Sequence, residues 1–190
     1  MDEAIFEAIV DSILAANAKL MTTTGAVGPP QLIGARDGRI LGMVSLRPVH
    51  RGDDAINGII EMSTFAAAGH ATDVVLSWEE LDLAVACGAE SHTDALSIDV
   101  CWARPHGHVL ARFPFQAEIV SNPTPSGVPL IRPVWLTPQV GLRGAVLPWV
   151  VSQTLDFCWK PFDHPGADHR TATAYLSSAG YNVSLTDPAT

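Results

Sequence analysis

The chain has 190 residues, 47% of them hydrophobic and 16% charged, and carries a net charge of −9. That balance suits one domain with a sizeable core and excludes wholesale disorder. It also predicts no partner of nucleic acid and no polybasic membrane anchor, because an acidic chain repels phosphate and only two lysines, Lys19 and Lys160, are present.

The charge is lopsided: residues 1–100 hold 15 acids against 5 bases (−10), and residues 101–190 hold 5 acids against 6 bases (+1). Three cysteines (Cys87, Cys101, Cys158) lie in apolar stretches, which reads as buried, reduced thiols. The acidic start MDEAIFEAIV has no signal-peptide character, and no apolar run reaches the roughly 18 residues of a spanning helix. The expected compartment is the cytoplasm. The predominance of Arg over Lys suits a high-GC bacterial or phage genome.

Residues 2–21 predict a helix with an apolar stripe of Ile5, Ile9, Ile13 and Leu20, widened by Phe6, Val10 and Leu14. Residues 31–36 and 39–46 flank Asp37-Gly38, a hairpin turn signal, and the second strand is apolar on both faces, as an interior strand would be. Asp53 is the expected cap of a helix that Gly69 closes. Residues 73–78 predict a strand. Over 79–87, capping-box spacing (Ser77, Glu80) favours a helix while Leu81, Leu83 and Val85 favour continuing the strand; the strand is the preferred reading.

The clearest pattern spans 95–120. Leu96, Ile98, Val100 and Trp102 alternate with polar or small residues, as do Val109, Ala111, Phe113 and Phe115, predicting a long antiparallel hairpin with Pro114 at an edge or bulge. Five prolines between 121 and 138 predict an extended segment that covers a sheet edge. Residues 146–160 and 169–179 predict two more helices. The expected fold is therefore α+β: one domain over 1–190 with a mainly antiparallel sheet of about five strands, helices on one face, and residues 121–190 as a Pro-rich segment plus a C-terminal helical layer.

Chemistry is sparse. DHPGADHR (163–170) offers His164 and His169, with Asp163 and Cys158, as zinc donors, but Pro165-Gly166 also makes a turn and Asp168 a helix cap. His106 and His108 fall on a hairpin tip. Glu79 and Asp99 would hold a divalent cation if adjacent strands brought them together. These residues make up the alternative reading, a metal-dependent hydrolase using Glu79, Asp99, His164 and His169; no other cofactor is implied. Cys87 and Cys101 would need a neighbouring base to act as nucleophiles. The favoured reading is a non-enzymatic interaction or assembly protein, self-associating or binding a protein partner through apolar surface, with Trp135, Trp149 and Trp159 as interface residues.

Overall fold

The computed structural model describes residues 1–91, 95–120, 127–160 and 168–186. Its elements, in chain order, are α1 (Glu3–Thr24), β1 (Gln31–Arg36), β2 (Arg39–Ser45), α2 (Asp53–Glu61), α3 (Ser63–Ala68), β3 (Asp73–Glu79), α4 (Glu80–Cys87), β4 (Ser97–Arg104), β5 (Gly107–Ile119), β6 (Ile131–Trp135), β7 (Gln139–Arg143), α5 (Trp149–Cys158), α6 (His169–Ser178) and β8 (Asn182–Leu185). The α+β class is as expected. The sheet is larger than expected, with eight strands in the order β6-β5-β4-β3-β1-β2-β8 and β7 also on β5, and all the pairings are antiparallel.

Alternation along the strands sorts the core into two layers. Leu32, Val74, Leu76, Cys101 and Leu110 face a layer built from α2 to α6. Val75, Ile98, Val100, Ala111 and Phe115 face the opposite way and pack under Phe6, Ile9, Val10 and Ile13 of α1. Helices thus cover both faces rather than one, because α1 carries its own wide apolar stripe and needs a sheet face to bury it.

Several local expectations hold and others change. Asp37 and Gly38 both have positive φ (50° and 79°), as the type I′ turn demands. β2 is interior, between β1 and β8. Asp53 is the first residue of α2 rather than its cap; Gly52 holds that position at φ 86°. Residues 80–87 are helical, not strand: Glu79 turns its carboxylate onto the Asp82 N–H at 2.6 Å and caps α4, leaving Leu81 and Val85 on the exposed side.

One glycine pair shapes the side of the sheet that faces α2 to α6. Gly34 and Gly42 are register partners on β1 and β2, and a Cβ on either would meet the Phe65 ring. Together they form a notch that Phe65 fills, with the His169 ring against its other side at 4.7 Å between centroids.

The described end of the Pro-rich segment runs along β5 as β6, and β7 continues the same edge after an interruption near Pro138. Val120 N–H donates to Leu130 O and Leu136 N–H to Pro114 O, at 3.0 and 2.9 Å. By the alternation of an antiparallel ladder, the N–H groups of residues 130, 132, 134 and 136 point toward β5, and those of 131 and 135 point outward. Pro133 occupies an outward position, so its missing N–H costs the ladder nothing and blunts the free edge.

Candidate functional site

Two places concentrate buried charge. On the side of the sheet that faces α2 to α6, Trp78, Asp99 and Arg112 form one cross-strand row over β3, β4 and β5. Arg112 donates to both oxygens of the fully buried Asp99 (Nη2–Oδ2 2.7 Å, Nε–Oδ1 3.1 Å, Nε–Oδ2 3.0 Å), and the Ser97 hydroxyl donates to Oδ1 at 3.0 Å. Trp78 Nε1–H donates to Glu80 at 2.7 Å, and the Ser97 N–H donates to Glu79 at 3.3 Å. Burial pushes the Asp99 carboxyl up, Arg112 and Ser97 pull it down, and the nearby charge of Glu80 pushes it up again. Hydrogen bonding to Asp99 raises Arg112 in turn. The bidentate contact holds the two together as an ion pair.

This row departs from the expected cation site. Glu79 is paired with Ile98 in the β3–β4 register, one position out of step with Asp99, so the two sit on opposite sides of the sheet. The carboxylate that Asp99 feels is Glu80. Glu79 spends its oxygens on the α4 cap and Ser97, and Asp99 on Arg112 and Ser97. His169, in α6, lies against Phe65; its buried Nε2 has no hydrogen-bond partner among the described residues, and burial lowers its pKa. His164 and Asp163 lie outside the described residues, as do Pro165 and Gly166. Asp168 caps α6 through the Thr171 N–H, as expected. Among the described residues, no group of three or more His, Cys, Asp or Glu could hold a metal ion.

The remaining candidates have structural surroundings. His106 sits in the two-residue turn between Arg104 and Gly107, and His108 Nε2 lies 2.9 Å from Ala145 O. Cys87, Cys101 and Cys158 are buried free thiols; burial raises all three, Cys101 to about 12 with Asp99 contributing. Such thiols stay protonated and unreactive. An apolar cavity of about 230 Å³ lies between α4 and the start of α5, with Glu80 and Trp149 among the residues that line it.

The second buried charge is Asp73, on the other side of the same strand pair. It accepts from Arg104 Nε (2.8 Å), the Met1 ammonium (2.9 Å), Thr72 Oγ1 (2.9 Å) and Trp102 Nε1 (3.0 Å). Burial alone would raise this carboxyl, but the four donors outweigh it and bring it to about 2. Because the folded value lies below the free-chain 3.8, the contribution is present above that pH and is lost as pH falls through about 2. Asp73→Asn is expected to cost at most about 2 kcal/mol at neutral pH. In urea titrations its deficit relative to the parent should shrink steadily between pH 4 and pH 2.

Exposed apolar surface is the third feature. Ile119, Val120, Val134, Trp135 and Leu136 line the ribbon formed by the end of β5 and β6, with Ile119 69% and Trp135 37% exposed. Trp135 meets the core residue Phe115 in an edge contact at 5.5 Å. The ribbon's described charges, Glu118 and Arg132, pair with each other at 2.7 Å. The three expected interface tryptophans do not share one surface. Trp135 is on the α1 side with Phe115, Trp149 is half exposed at the start of α5 in the other layer, and Trp159 packs against that layer's core. Residues 128–136 (VPLIRPVWL) are largely apolar and supply Val134, Trp135 and Leu136 to the ribbon. Arg112 was missed, since alternation marks it only as a polar residue between apolar ones.

No protein-family model, no curated protein and no solved structure matches the chain. Among the described residues, no helix is long and apolar enough to cross a membrane.

Proposed function

We propose that this is a non-enzymatic, cytoplasmic interaction protein that associates with a second copy of itself through the β5–β6 ribbon. The observation that supports this is the exposure, along one sheet edge, of Ile119 and Trp135 on one face of the ribbon and Val120, Val134 and Leu136 on the other. Exposed apolar side chains gathered on both faces of one edge ribbon mark a contact site. Pro133 removes an outward donor, so the contact rests on side-chain packing rather than on extending the sheet. A second copy is favoured because the ribbon's two charges cancel, so two ribbons meet without like-charge repulsion although the whole chain is at −9.

Light scattering during size exclusion tests this. The parent protein is expected to run as a dimer at micromolar concentration. Ile119→Asp/Val134→Asp, both at exposed positions, should run at half that mass with unchanged circular dichroism. A monomeric parent, or a double variant that stays dimeric, removes the reading.

A further inference from the structure

The α1 face of the sheet is only partly covered. Between α1 and the edge strand β7 runs an open groove of about 590 Å³. Its floor is Trp102, Val109, Ala111 and Phe113, its near wall is α1, and its far wall is Val140, Gly141 and Arg143. Trp102, Val109 and Phe113 are only partly buried, so apolar surface faces water along the groove. Helices lie about 8–10 Å apart when they pack side by side on a sheet. The strip beside α1 is the position a second such helix would take, and among the described elements no helix occupies it.

The wall has one sign of charge. Glu3, Glu7 and Asp11 are exposed, follow one another at four-residue intervals along α1, and line the groove. Among the described residues none of the three forms an ion pair. Like charges at this spacing on a helix repel one another, and a cation laid alongside relieves that repulsion. Arg143 is the one base among the lining residues and stands on the opposite wall.

From these features we infer that the groove binds a basic amphipathic helix of another protein, with its apolar stripe on Trp102, Val109 and Phe113 and its Lys or Arg residues against Glu3, Glu7 and Asp11. Nine residues of α1 span about 12 Å, enough to align with two turns of such a helix. A second copy of this chain does not suit the groove: none of the helices α1 to α6 carries more than one Lys or Arg. The groove is thus distinct in chemistry from the neutral ribbon, and the inference stands or falls separately from self-association.

The test uses a fluorescein-labelled synthetic Leu/Lys helical peptide of about 14 residues, a length that supports a short amphipathic helix, and its Leu/Glu counterpart. Binding is read by fluorescence polarisation against the full chain. The Leu/Lys peptide is expected to bind and the Leu/Glu peptide not to bind. Glu7→Lys/Asp11→Lys should weaken binding by about tenfold or more. Glu90→Lys/Asp156→Lys, which makes the same change in net charge away from the groove, should leave it within about twofold. Ile119→Asp/Val134→Asp should also retain binding, which separates this groove from the ribbon. Equal losses in the two Lys variants, no loss in either, or loss only in the ribbon variant would each overturn the inference.

Discussion

Arg112→Met is expected to destabilise the protein by about 3–5 kcal/mol, read as a shift in the urea midpoint at constant slope. The side chain is largely enclosed, and its guanidinium is the described cation in contact with the fully buried Asp99. Removing it leaves the Asp99 charge in the interior beside Glu80, whose own charge acts in the same direction. Asp99→Asn should also be costly, because it leaves Arg112 facing a neutral amide. The double variant Asp99→Asn/Arg112→Met should cost clearly less than the sum of the two, since neither charge is then left alone. Additive costs would mean that the two side chains act independently, contrary to the 2.7 Å contact.

Phe65→Ala is expected to cost about 3–5 kcal/mol, with an unchanged overall circular dichroism spectrum if the protein stays folded. Phe65 has no exposed surface and fills the notch made by Gly34 and Gly42. Neither glycine has a side chain that can swing into the vacated space. The site therefore collapses poorly, and the loss belongs at the high end for core truncations. Phe65→Leu should recover about half of it. A cost near 1 kcal/mol for the alanine variant would mean that the helical layer settles onto the sheet, and that the notch is not rigid.

Much of the sheet was legible because short-range rules govern it. Asp37-Gly38 sets one hairpin, and strict alternation over 96–119 sets another, although that alternation points to one buried face and β4 is buried on both. Pro133 and Pro138 correctly excluded a central strand, yet they concealed that the segment still pairs along β5. The ladder tolerates Pro133 because its nitrogen faces outward, and that depends on register, which no local pattern reveals. β8 is four residues long and needs β2 as a partner before it is a strand at all.

The turn at Glu79 was misread for a related reason. Leu81, Leu83 and Val85 alternate as strand residues do, and the decision falls to a capping bond from a buried carboxylate. The second sheet face was likewise obscure, since the stripe on α1 identifies an amphipathic helix but not which side of the sheet receives it. For the site residues, spacing placed Glu79 and Asp99 near each other on neighbouring strands. A single step of register then put them on opposite faces and brought Glu80 to Asp99 instead.

Self-association through the β5–β6 ribbon is tested most directly by hydrogen exchange of that ribbon as a function of protein concentration. Among the described residues the outward amides of Ile131 and Trp135 have no partner in the sheet, and in a monomer the segment exchanges at a rate independent of concentration. Association is expected to slow exchange across 115–120 and 130–136 as concentration rises, while β8 on the opposite edge is unaffected. The same segment should return to the fast rate in Ile119→Asp/Val134→Asp at every concentration. Exchange that does not vary with concentration in the parent protein, or protection that appears at β8 instead, would contradict the account.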